Sequence, residues 1–114
     1  VANHKHAIRA TCFDAAGKII STAENNYNKT HPKQAAYAIL AGRRDPEYNK
    51  RCMYRGLIHA EVLAIIRARK PIHRIKIERY NKQGLARLAK PCLACEIAIA
   101  EAKIKLVEYT VSEQ

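Results

Sequence analysis

Twice in its second half the chain passes from a helical run into a strand with almost nothing between them, and that order restricts the fold more than any other feature. Residues 57–70 (LIHAEVLAIIRARK) carry helical apolar spacing and are closed by Pro71. Residues 72–79 (IHRIKIER) then set Ile75 and Ile77 on one face of a strand. Further on, Pro91 introduces a helix over CLACEIAIAEAK, and 104–111 reads as a closing strand. A strand entered from a helix points to a crossover and hence to at least partly parallel pairing.

The first half supplies antiparallel partners. Residues 7–13 alternate Ile8 and Ala10 with Arg9 and Thr11, Asp14–Ala–Ala–Gly17 turns the chain, and 18–22 (KIIST) returns as the second arm of a hairpin. After the polar run AENNYNKTHP, Thr30 is the expected N-cap of a helix with Pro32 in its first turn. That helix covers KQAAYAILA and is expected to stop at Gly42, leaving 43–56 as loop. The expected class is α/β: one three-layer α/β/α domain over 1–114, a mixed sheet with helices on both faces. Its 114 residues suffice for a core without disulfides.

No run approaches the ~18 consecutive apolar residues of a membrane span. His4, Lys5, His6 and Arg9 stand where a signal peptide would be apolar. Of the four cysteines, Cys12, Cys52, Cys92 and Cys95, the last two form a C-x-x-C pair. In that setting metal or redox chemistry is expected before a structural disulfide, and a reducing, cytoplasmic location with it. The net charge of +11 is uneven, −2 over 92–114 and +13 over 1–91. Such a density suits a phosphate-bearing partner, the alternative being a solvated basic surface.

His59 and Glu61 pose a puzzle, since helix positions i and i+2 face nearly opposite ways. They can share a site only if His59 stands at the helix start. His59, Cys92 and Cys95 are then all at helix N-terminal ends, where N–H groups and the positive dipole end favour a thiolate. Imidazole and thiolates are zinc ligands, and three of them leave a fourth position for water, beside which Glu61 can act as general acid and base. A structural zinc, in a nucleic-acid-binding module without chemistry, would need a fourth ligand from Cys12, Cys52, His31 or His73, and neither Cys12 nor Cys52 has a partner at knuckle spacing. A C-x-x-C redox protein would leave His59 and Glu61 without a task. His4 and His6 read as a frayed end.

HAE at 59–61 followed by PCLAC at 91–95 resembles the cytidine deaminase-like superfamily, whose zinc nucleobase deaminases carry H-x-E and P-C-x-x-C. IAEAKIKLVEYT resembles its deoxycytidylate and tRNA-adenosine deaminase branch, and NYNKTHP small phage-type members. The resemblance implies Zn2+ on His59, Cys92 and Cys95, proton transfer by Glu61, and a pyrimidine carbonyl held by the Ala60 N–H. The family's G-x-N slot falls on Ala23–Glu24–Asn25, with Asn26 as the neighbouring candidate.

The expected reaction is conversion of cytosine to uracil, because the tRNA-adenosine pattern is missing before HAE. Arg43, Arg44, Lys50, Arg51 and Arg55 cluster just ahead of the site helix. With Tyr54, and Tyr27, Tyr48 and Tyr80 as further aromatic platforms, they favour single-stranded DNA. A free deoxycytidylate, its phosphate on Lys29 or an arginine, is the alternative. Family members of this size often form homo-oligomers.

Overall fold

The structure, a computed structural model, describes residues 7–26, 29–48 and 57–112. Strands β1 (Ala7–Phe13) and β2 (Ile19–Glu24) form the expected hairpin, antiparallel with a register shift at Cys12/Phe13. The turn is built by Asp14, whose Oδ1 accepts from the backbone N–H groups of Ala16 and Lys18, and by Gly17 at φ 86°, a left-handed position that suits glycine.

Helix α1 (Pro32–Arg44) has its N-cap one residue later than expected and runs past Gly42 to Arg44. Pro32 disfavours helical backbone in the residue before it. The extended residue is therefore His31, and its Nδ1 accepts from Lys33 N–H at 3.0 Å, so His31 is the N-cap in place of Thr30. The same rule ends the helix: Asp45, before Pro46, is extended, and Gly42 stays inside.

Helix α2 (Ala60–Arg67), strand β3 (Arg74–Tyr80), helix α3 (Leu93–Glu101) and strand β4 (Leu106–Tyr109) follow in the expected order. The sheet order is β2-β1-β3-β4. β1 is antiparallel to both neighbours, and β3 and β4 are parallel with Ile75 opposite Val107 and Ile77 opposite Tyr109. The mixed sheet is as the helix-to-strand order demands.

One face of the sheet carries Ala10, Cys12, Ala23, Ile75 and Ile77, packed under Ala60 and Ala64 of α2 and Ile99 of α3. α3 is apolar on two sides, and the second, with Ala94, Ile97 and Ala98, packs with Tyr37, Ala38 and Ala41 of α1. The layers are therefore sheet, then α2 and α3, then α1. The expected helical cover of the opposite face is not seen among the described residues. That face presents Arg9 ion-paired to Glu24 at 2.9 Å, Arg74 ion-paired to Glu108 and lying over the Phe13 ring, and exposed Lys76, side chains content in water. No described helix is long and apolar enough to cross a membrane.

Candidate metal centre and active site

Both helices on the sheet begin at a residue whose side chain does not cap them. His59 is the N-cap of α2 (φ −89°, ψ 154°) and Cys92 the N-cap of α3 (φ −71°, ψ 170°), each extended and each without a side-chain capping bond. A good cap is worth ~1 kcal/mol, so both helices forgo it. The side chains turn toward each other instead. Cys95, one turn into α3, completes the group: His59 Nδ1 is 3.2 Å from Cys95 Sγ and 3.6 Å from Cys92 Sγ. All three donor atoms lie within 4.8 Å of one another.

Extended backbone at His59 resolves the i, i+2 puzzle, because the imidazole leaves the chain before helical rotation begins. Glu61 sits in the first turn of α2 and is buried, at 5% exposure. Burial pushes its carboxyl above the usual carboxylate range, and its own backbone N–H and the His59 ring partly offset that. The Cys95 thiol is held well above its ordinary value by the Cys92 sulfur, by burial and by Glu61. A buried carboxylate beside two sulfurs is a costly arrangement that a cation would relieve.

The donors fit zinc. Ideal Zn–S and Zn–N bonds in a tetrahedron give donor–donor edges of about 3.6–3.8 Å, close to the separations here, with one corner left over. Among the described residues no fourth histidine or cysteine joins the set: Cys12 is buried in the sheet and His31 caps α1.

A model of the cytidine and deoxycytidylate deaminase zinc-binding region matches residues 2–111. The chain belongs to that family. No curated protein matches it. It is a zinc-dependent deaminase, with His59, Cys92 and Cys95 placed to hold the metal.

Two residues of this deaminase's site carry no motif. Gln34 of α1 is fully buried, and its Oε1 accepts from His59 N–H at 3.1 Å while its Nε2 has no hydrogen-bond partner among the described residues. Tyr48, expected as an exposed platform, is buried, with its hydroxyl 3.7 Å from Cys92 Sγ. Helical spacing with Tyr37, Ala38 and Ala41 would have placed Gln34 on the inward face of α1, the one available signal.

The other expected contacts are tied to this centre to differing degrees, and some not at all. Ala60 is fully buried at the first position of α2, where backbone N–H groups lie outside the helical ladder. Asn25 Oδ1 accepts from Ile8 N–H at 3.0 Å, which fixes its orientation at the end of the hairpin. Asn26 N–H donates to Ile58 O, and Ile58 N–H to Lys29 O, so both Asn26 and Lys29 are tied to the residue before His59. Arg43 and Arg44 are exposed in the last turn of α1, a favourable place for cations. Tyr80 is half-exposed at the end of β3, with its hydroxyl donating to Glu78. Lys50, Arg51, Tyr54 and Arg55, with His4, His6, Tyr27 and Cys52, lie outside the described residues.

Proposed function

We propose that this deaminase hydrolyses the exocyclic amino group of cytosine in a phosphate-bearing substrate, with single-stranded DNA favoured over free deoxycytidylate. The observation that carries the chemistry is the buried Glu61 carboxyl beside the three donors. Zinc, when bound, lowers the pKa of a water toward neutrality and so supplies the nucleophile. His59, Cys92 and Cys95 hold the metal, and Gln34 orients His59 through its backbone N–H. Glu61 accepts a proton from the attacking water, delivers one to the ring nitrogen and then serves the departing ammonia. Its burial keeps bulk water away from the proton it carries.

Ala60 N–H is assigned to the pyrimidine carbonyl, Asn25 and Asn26 to base or sugar, and exposed Lys29 to a phosphate. The choice of a strand is supported by the +13 charge of residues 1–91 and by Arg43 and Arg44, which stand close in sequence to Tyr48 at the site. Lys50, Arg51, Tyr54 and Arg55 are assigned to the same strand by sequence. Residues 1–114 are read as one such domain. Self-association is supported by exposed Leu106, Val107 and Tyr109 on edge strand β4, and solution mass is its check.

The test is ammonia release and C-to-U conversion by zinc-loaded protein on deoxycytidylate, a single-stranded oligonucleotide and its duplex. Conversion of the single strand, weakening steeply with salt, is the expected result. Conversion of deoxycytidylate alone selects the free nucleotide, and conversion of neither rejects cytosine deamination.

A further inference from the structure

We propose that the groove between β2 and α2 carries the backbone of a single-stranded nucleic acid away from the active site, an inference that rests on the strand substrate proposed above. Two concavities make up this groove. One, of about 540 Å³, is walled by Arg9, Asn25, Asn26, Leu63 and Arg67 among others. The other, of about 280 Å³, is walled by Lys18, Ile19, Ile20, Arg67, Arg69 and Lys70. Arg67 lines both, and its guanidinium, bonded to Thr22 O at 3.2 Å, stands where the two adjoin.

The groove opens beside the reaction centre, because Asn26 at one end is bonded to Ile58, the neighbour of His59. From there it follows β2, whose six residues span about 20 Å at ~3.3 Å per residue. Arg9, Lys18, Arg67, Arg69 and Lys70 face this path, and all five are exposed. Among the described residues the one carboxylate in its walls is Glu24, already paired to Arg9, while Asp14 beside Lys18 is turned to the hairpin amides.

Glu24 offsets Arg9, and gathering Lys18, Arg67, Arg69 and Lys70 along the same groove costs mutual repulsion that a polyanion relieves. A single nucleotide's phosphate engages one or two of them, near the site; a strand engages the row. β2 is also an edge strand, open on the side away from β1, so its backbone N–H groups there can meet phosphate oxygens. Ile19, 56% exposed, gives the path an apolar surface for a base. The concave form fits a strand better than a flat anionic bilayer.

The test compares two variants of equal charge in the zinc-loaded protein. Lys18→Ala/Arg69→Ala/Lys70→Ala empties the far half of the groove. Lys76→Ala/Lys82→Ala/Lys105→Ala removes the same charge elsewhere, and all six positions are exposed. Binding of a fluorescent single strand of about 15 nucleotides is followed by anisotropy across a salt series. The groove variant should lower the slope of log K against log salt by about 2 and weaken binding at least tenfold at low salt, with the control unchanged. An equal drop in both variants assigns binding to diffuse charge and overturns the groove. An unchanged groove variant overturns it while the strand substrate stands. No binding by the unaltered protein overturns both. A matching loss of binding to phosphatidylserine vesicles would make the groove a lipid-facing surface and overturn it as well.

Discussion

Beneath the sheet lie Ala10, Cys12, Ala23, Ala64, Ile75 and Ile77; between the helices lie Tyr37, Ala41, Tyr48, Val62, Cys95 and Ala98. The first cluster is aliphatic but for the Cys12 thiol. The second includes two tyrosines and a metal-donor cysteine, and beside it stand Gln34 and Glu61, two of the three buried polar side chains among the described residues. One cluster is assembled for stability, and the other holds desolvated polar groups, which on the proposed mechanism serve a reaction. Substitutions should therefore separate folding from function according to the cluster they enter.

The largest effect is expected at Glu61. Glu61→Ala should lower turnover by at least about 10³-fold, near 4 kcal/mol in activation free energy, while zinc content and thermal stability hold or rise. Steady-state kinetics with metal analysis of the same sample checks this, and a collapse of zinc content would show that the two clusters are not separable. Next comes Ile75→Ala in the sheet cluster, which removes a fully buried side chain and should cost roughly 2–5 kcal/mol in denaturant unfolding. Its zinc affinity, measured where the protein is still folded, should be unaltered.

Gln34→Leu sharpens the contrast further. It removes the acceptor of His59 N–H but also an unsatisfied buried donor, so stability should move by no more than about 1 kcal/mol. Zinc affinity by chelator competition should nevertheless fall about tenfold or more, as for other residues that orient a ligand. A large stability loss with intact zinc affinity would place Gln34 with the structural cluster.

The smallest effect is at Tyr37, whose hydroxyl donates to Glu101 at 2.6 Å. Burial and that carboxylate push its pKa up to about 12 from 10.0. The fold keeps the phenolic proton after the unfolded chain has lost it, so stability is present below pH 10 and falls as pH rises from 10 toward 12. Tyr37→Phe should cost about 1 kcal/mol at neutral pH and flatten that alkaline fall in a pH series of melting temperatures.

The sheet and the donors were legible in the residues because each left a periodic or spaced signal. Ile75 and Ile77 announced a face, and HAE with PCLAC announced a centre. The side of the sheet left open was harder to read. Arg9, Arg74 and Lys76 alternate with apolar neighbours, and alternation identifies a buried face without saying whether a helix covers the other one. Gln34 was hidden for a different reason: a polar residue among alanines on a helix looks like surface until its partner, distant in sequence, is known. Tyr48 was misread because an aromatic in a basic stretch has the composition of a nucleic-acid platform, whereas its place beside Cys92 is decided by how the chain returns after Pro46.

The bonds from Asn26 N–H to Ile58 O and from Ile58 N–H to Lys29 O, with the Thr30–Leu57 bridge, have a consequence for how this deaminase can vary. They join residues 26–30 to 57–58, so the chain between them is closed at its base into a loop that contains α1. Lengthening such a loop costs only ~0.6 kcal/mol per doubling. Downstream of α1, this closed base lets the stretch before Leu57 be exchanged for a longer or differently charged one while His59 keeps its place, a socket into which a new substrate preference can be fitted.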